Sequence, residues 1–424
     1  MSDSPPARHP RLTDHARLAL VCLSAVSVSL PMAWVSLAKV LVVVVGLAYW
    51  VYSATRSHGT TVGPWWTPRA VALALGLFAL SGLWTGADGA TVGSIWIKHA
   101  KLLEVVLLAV LIRTPREARI AVTALVIGQV FLLLSSWALR VGIPVPWQAA
   151  SATANVVFST YLDQSIMFAT TASVLWHLRK EGLWPAWLGA ALAVLALANS
   201  LLVLEGRSGY LVALSALALA AMWAMPRRWR VPTLVATPVL ALAVLALGSA
   251  QVQERVTKIL TESQRFAQTQ EVREFDSSGW RLNAWKRSVQ AFAQQPLIGH
   301  GIGNWTPAVK QFEGAHADAV FGVGNASNPH QEYLLWAVEL GVLGLALLLG
   351  ILTSLVRDAC RFPTSTARAL VAATVATAIA CMFNSALYDD LMGDYLVVTL
   401  GILWALGIRQ AAAMTPQTDL AHAR

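Results

Sequence analysis

Three residues far apart in the chain, Arg207, Arg281 and His330, have types and settings that could do chemistry together. His330 follows Asn328 and Pro329 where an apolar run begins. Asn is a good N-cap and Pro fits the first helical position, so His330 is expected in the first turn of a helix. That end of a helix disfavours a cationic imidazole and favours a nearby anion. A neutral His there could act as general base beside an anionic ligand. The plainer alternative is an interfacial His touching lipid headgroups. Arg207 lies in Glu205-Gly206-Arg207-Ser208-Gly209, a very short turn between two apolar runs. It could pair with Glu205, or hold a phosphate in a bidentate fork, with the flanking glycines allowing close backbone approach. Arg281 is expected in the first turn of a helix, an unfavourable place for a cation unless an anion is shared with the free N–H groups. A solvated loop Arg is the alternative. Lys98, Lys101 and Arg140 fall at ends of apolar runs, where snorkelling accounts for each. Asp389 and Asp390, after Asn384, cap a late turn and are either solvated helix-end acids or contacts for an acceptor hydroxyl.

The elements that must position these residues are membrane helices. Of 424 residues 56% are hydrophobic and only 12% charged, and the mean hydropathy is +0.59. Soluble domains carry roughly twice that share of charge. A helix needs about 20 mostly apolar residues to cross a bilayer. Twelve segments are expected to cross: 18–37, 40–54, 70–86, 95–112, 119–140, 159–178, 184–204, 209–225, 231–250, 331–356, 367–387 and 391–409. The N-terminus is polar as far as Arg17 and has no convincing cleavage site, so the first span is expected to be uncleaved. The fold class is thus an all-α polytopic membrane protein with about 12 transmembrane helices. The chain divides into 1–250 with spans one to nine, a loop at 251–330, and 331–424 with the last three spans and a cytoplasmic tail.

The net charge of +9 needs no nucleic acid, because cytoplasmic loops of membrane proteins collect basic residues. With the N-terminus inside, eighteen Lys and Arg residues fall inside and five, Lys39, Lys98, Lys101, Arg140 and Arg207, in short outside segments. The remaining eight lie in the long segment 251–330, which the charge rule exempts. Both chain ends are then inside and the loop is outside. Two amphipathic helices are expected in it. One spans about 251–274, with Val252, Val256, Ile259, Leu260 and Phe266 on one face. The other spans about 280–293, with Trp285, Val289 and Phe292 at helical spacing, Ser277 and Ser278 as N-cap candidates and Pro296 beyond its end. A Gly-rich coil follows.

There is no P-loop, GxSxG or HExxH. Gly299, Gly301 and Gly303 follow no strand, which argues against a dinucleotide site. Cys22, Cys360 and Cys381 are far apart and imply neither a disulfide framework nor a metal site. No acidic pair with metal-ligand spacing falls outside, so the chemistry is expected to be independent of metal.

The ordered set of motifs resembles the bacterial O-antigen ligase and polymerase superfamily. It runs from Gly206-Arg207-Ser208-Gly209, through Arg281 with Trp285, to Pro296-Leu297-Ile298-Gly299-His300-Gly301-Ile302-Gly303-Asn304. Asn328-Pro329-His330-Gln331-Glu332-Tyr333-Leu334 then leads into Glu339-Leu340-Gly341-Val342-Leu343-Gly344. The likeness covers about 206–344. Gln331 stands where Asn is usual, and Glu205 where Ser or Thr is usual; both departures leave the charged residues in place. The resemblance implies a GT-C type glycosyltransferase of the bacterial inner membrane, with its large helical loop between spans nine and ten and its site facing the periplasm. It implies an undecaprenyl-diphosphate-linked glycan as donor, lipid A-core as acceptor, and no cofactor. Arg207 and Arg281 would then hold the diphosphate, and His330 would be the base. Lys98, Lys101, Arg140 and Asp389 are further outer-face candidates. An O-antigen polymerase and a protein O-oligosaccharyltransferase share donor and topology. The single large loop late in the chain favours a ligase or a protein transferase. A transporter is the reading from another class; few charges lie mid-span, where transport pathways put them.

Overall fold

In the computed structural model, which describes residues 12–55, 64–204, 206–248, 250–269, 277–313 and 328–414, the apolar runs form helices and no strand is present among the described residues. In chain order they are α1 (Leu12–Ser27), α2 (Met32–Thr55), α3 (Trp66–Ser81), α4 (Gly89–Ala100), α5 (Leu103–Leu111), α6 (Pro115–Arg140), α7 (Tyr161–Leu178) and α8 (Ala186–Leu202). Then come α9 (Arg207–Ala224), α10 (Arg230–Gly248), α11 (Ala250–Thr269), α12 (Ser277–Gln294), α13 (Trp305–Lys310), α14 (Glu332–Ala359), α15 (Thr364–Phe383) and α16 (Asp390–Met414). Local signals set several starts. Thr114 caps α6 through the Glu117 N–H, with Pro115 at the first helical position. Thr160 and Asp163 close a reciprocal capping box on α7.

Eight of the described helices are long and apolar enough to cross a bilayer: α2, α6, α8, α9, α10, α14, α15 and α16, the α10 candidate starting at Arg227 in the short turn just before it. The other four expected spans correspond to α1, α3, α4 with α5, and α7. Helices α1 and α3 have 16 residues each, about 24 Å of rise against a hydrocarbon core of about 30 Å. A turn at Lys101 and Leu102 interrupts the fourth segment. The fifth of these helices, α7, carries buried Gln164, Ser165, Thr170, Thr171 and Ser173, which lower its hydropathy. The first two spans are also shifted from expectation. Helix α1 ends at Ser27 and α2 starts at Met32, because Pro31 between them ends the first run.

Helix α16 is the axis of the bundle. All of its candidate span is buried, packed on α5, α6 and α15, whereas α10 has none of its span buried and lies at the periphery. The bundle has two chemically distinct ends. At one, Arg17 forms a two-pronged pair with Glu117, at 2.7 and 2.9 Å. Arg409 donates to the carbonyls of Ile112 and Ala109, while Arg357 and Arg361 stack on Trp66 and Trp65. These are residues that the charge pattern groups on one side. The other end gathers the α3–α4 turn, the start of α9, α12, the 296–304 segment and the 384–390 turn.

The Gly-rich motifs at that second end are structural. Gly341 has φ +67 and ψ −159, which breaks the α14 ladder and kinks the helix. The freed groups pair with segment 296–301. Val342 N–H donates to the Pro296 carbonyl at 2.8 Å, His300 N–H to Val338 O at 2.9 Å, and Gly301 N–H to Glu339 O at 2.8 Å. A Cβ on Gly341 would strike the Leu297 carbonyl, and one on Gly299 would lie 2.5 Å from the Glu339 backbone. Only glycine fits such a conformation and such an approach. Asn304 ties the segment to Thr85 at 2.8 Å, so this coil locks the α3–α4 turn to α14.

Candidate functional site

Helix α12 begins at Ser277, three residues earlier than expected, so Arg281 sits in its second turn. The helix is anchored through buried Ser288, which accepts from Trp305 Nε1 at 2.9 Å, and through Asn283 and Arg287, which share Glu313 at 2.8 and 2.7 Å. One turn beyond Arg281, Trp285 Nε1 donates to the Pro329 carbonyl at 3.1 Å. The Arg-x3-Trp spacing therefore has a direct mechanical meaning: one face of α12 presents a cation and holds the backbone just before His330.

The expected capping at His330 is corrected. Gln331, with extended backbone, is the N-cap of α14 and accepts from Leu334 N–H, so the helix starts at Glu332. His330 precedes the helix in a left-handed conformation, φ +49, and donates its backbone N–H to Asn328 Oδ1 at 2.9 Å. The helix cannot start at Pro329 because Asn328 closes a turn of its own on His330 instead of capping. Glu332 completes the frame: its buried carboxylate accepts from Trp336 Nε1 and from the N–H groups of Leu387 and Tyr388 at 2.8, 3.0 and 3.2 Å. Asn384 then bonds Ser208 at 3.2 Å, joining the 384–390 turn to the first turn of α9.

Those supports bring Arg207, Arg281 and His330 together. The ring of Trp280 meets the His330 imidazole edge-on, with centroids 5.4 Å apart. Burial and then the Arg281 charge push His330 down to about 4, so it is neutral at pH 7. The cause is thus desolvation and a cation, not the helix terminus that the sequence suggested. Its Nδ1 is buried without a partner, whereas Nε2 is neither buried nor bonded and is the nitrogen left open. Arg207 donates to Ser278 Oγ at 2.6 Å and lies 3.8 Å from Glu262 of α11, which also accepts from Ser278 N–H. Glu205 lies outside the described residues, as do the side chains of Val252, Val256, Ile259 and Phe266.

Arg281 forms no ion pair with a described carboxylate. Burial, followed by repulsion from Arg207, lowers its pKa, with Tyr161 and Asp389 opposing to a smaller extent. Two guanidiniums repel each other here, and of the two only Arg207 has a described acid within ion-pair distance, which leaves positive charge that an anion could neutralise. Asp389, whose charge acts on Arg281 from the 384–390 turn, is raised to about 7 by burial and the neighbouring Asp163 and Glu332. Lys98 stacks on Tyr388 at 4.2 Å and lies 4.0 Å from Asp390. Lys101 is fully buried, donates to the Asp389 carbonyl at 2.6 Å and lies 3.6 Å from Asp394. Its place is below the 389–390 turn, as a support. Arg140 is exposed and bonds no described residue. Among the described residues no group of three His, Cys, Asp or Glu could hold a metal ion.

Sequence reasoning missed Glu262, Trp280, Tyr161 and the support role of Glu332. Glu332 stood inside a quoted motif, and Trp280 next to Arg281. Nothing in the pattern of α11 distinguishes Glu262 from its other polar residues.

The described helices make a multi-helical bundle of the membrane type, with Arg207, Arg281 and His330 gathered at one end. Residues 191–349, a segment that holds Arg207, Arg281 and His330, match the family model described as O-Antigen ligase, consistent with the O-antigen ligase and polymerase superfamily. No curated protein matches the chain.

Proposed function

We propose that this protein is an O-antigen ligase: a metal-independent, inverting glycosyltransferase moving glycan from undecaprenyl diphosphate to a sugar hydroxyl of lipid A-core. The observation that carries the reading is the pair of guanidiniums, with Arg281 in no ion pair with a described carboxylate, beside an imidazole kept neutral with Nε2 open. The donor is already activated by its diphosphate. Its departure develops charge that fixed cations stabilise in place of a metal. The acceptor oxygen attacks the anomeric carbon on the face opposite the diphosphate. The carbon–oxygen bond to the diphosphate breaks, undecaprenyl diphosphate leaves, and the hydroxyl proton passes to His330 Nε2.

In this reading all twelve apolar segments are membrane-embedded, with the short ones packed against longer neighbours in a GT-C type arrangement. The loop 251–330 and the site face the periplasm, and the charge pattern supports that orientation. The test is deletion followed by gel analysis of lipopolysaccharide. Core-only lipid with lipid-linked polymer accumulating is expected. Core bearing one repeat would identify a polymerase, and normal lipopolysaccharide with an unglycosylated protein acceptor a protein transferase.

A further inference from the structure

At the end of the bundle away from Arg281 and His330 lies an apolar cleft that the transfer reaction does not use. Helices α8 and α9 both pack on α7 and leave between them about 190 Å³, lined by Trp176 and His177 of α7, Ala193 and Leu197 of α8, and Ala216 and Ala220 of α9. The small side chains let a hydrocarbon chain lie close to the helices. One polar atom is out of keeping with this lining. His177 is only 8% exposed, and its Nε2 has no partner.

Two cations flank it. Arg368 lies 5.7 Å from the centroid of Trp223, whose ring meets His177 edge-on at 4.9 Å. Arg179 lies 3.9 Å over Trp176 and donates to its carbonyl. Both charges act on the His177 ring, and neither arginine forms an ion pair with a described carboxylate. Glu181, the acid nearest in sequence, accepts instead from Gln410 at 3.2 Å. An apolar slot therefore ends in an unpartnered buried nitrogen and two cations with no counter-ion among the described residues.

We propose that this cleft binds an anionic glycerophospholipid of the surrounding bilayer, one acyl chain in the slot, the phosphate between Arg179 and Arg368, and His177 Nε2 in hydrogen-bond contact with the headgroup. Basic pockets between membrane helices bind anionic headgroups in this manner. The donor's polyprenyl tail fits the observations less well. Ala216 and Ala220 lie about 14–20 Å along α9 from Arg207, within reach of a tail, but such a tail carries no group for the two arginines. The inference does not depend on the transfer reaction.

The test is native mass spectrometry of the full chain, delipidated in detergent, with equimolar phosphatidylglycerol and phosphatidylcholine of the same acyl chains. Two headgroup cations, each worth about fivefold, predict roughly 10- to 30-fold preferential retention of phosphatidylglycerol. Arg179→Gln with Arg368→Gln should abolish the preference while both lipids still bind. Ala216→Phe should reduce the retention of both. Arg227→Gln with Arg228→Gln, at exposed arginines of the same end, should leave the preference intact. Equal retention by the unaltered protein overturns the proposal without recourse to any variant. So does a preference that survives the Arg179/Arg368 change or is lost with the Arg227/Arg228 change. Displacement of phosphatidylglycerol by undecaprenyl phosphate would assign the cleft to the donor tail.

Discussion

Transfer should remain near full rate in mild acid, where an ordinary histidine base would fail. His330 is held at about 4 by burial and by Arg281, against an ordinary 6.5. At pH 5.5 an imidazole of pKa 6.5 is about 9% neutral, whereas one of pKa 4 is about 97% neutral, roughly a tenfold difference in available base. The kcat/KM profile, which reports the free enzyme, should therefore be flat from pH 7 down to about pH 5 and fall only near pH 4. Bound diphosphate offsets the Arg281 cation, so the acid limb of kcat should lie at higher pH than that of kcat/KM. In Arg281→Gln the residual activity should also show its acid limb moved upward, yet still below 6.5, because burial is the larger cause. Linkage gives a second readout. The folded value lies below the unfolded one, so this group's contribution to stability is complete above about pH 6.5 and declines as pH falls towards 4. The assay is transfer of glycan from purified undecaprenyl-diphosphate donor to core acceptor in a series of buffers at constant ionic strength. A kcat/KM limb at 6.5 in the unaltered protein, or an unmoved limb in Arg281→Gln, would refute the electrostatic account of His330.

The remaining predictions test the site and its frame separately. His330→Gln should lose about 10²–10⁴-fold in rate with donor still bound, in a single-turnover assay, since the amide cannot take the proton. Arg207→Lys should be only partly active, because an ammonium offers a point charge and no planar fork; full activity would rule out bidentate diphosphate binding there. Trp285→Phe removes the hydrogen bond to Pro329 O, and kcat should drop several-fold while the melting temperature changes little. Gly341→Ala should destabilise by about 3–5 kcal/mol, from strain at positive φ and loss of pairing with segment 296–301, read as a lowered melting temperature in detergent.

Much of this molecule is legible in the chain because a bilayer allows few solutions. Every backbone group in hydrocarbon must be paired within its own segment, so long apolar runs have to be helices. The basic residues separate by loop for an equally general reason, and the two ends of the bundle reproduce that partition at Arg17, Arg357, Arg361 and Arg409. Residue type and setting put Arg207, Arg281 and His330 forward as candidates beside plainer alternatives, and the resemblance of the ordered motifs supplied their proposed roles.

Tertiary structure decided what surrounds them. Local capping rules put His330 inside a helix, but Asn328 turns on its backbone, Gln331 takes the cap, and Trp285, 44 residues earlier, fixes the Pro329 carbonyl. The neutral state of the imidazole follows from burial and from Arg281, neither of which a local pattern contains. Glu262 reaches Arg207 from α11 because two helices happen to approach. The Gly-rich stretch, expected as coil, is a docking strip, since the positive φ of Gly341 has consequences only where Pro296 and Leu297 lie against it. Sequence spacing determines which groups can share a helix face; which faces meet depends on contacts between residues tens to hundreds of positions apart, and the electrostatics of the site depend on those contacts.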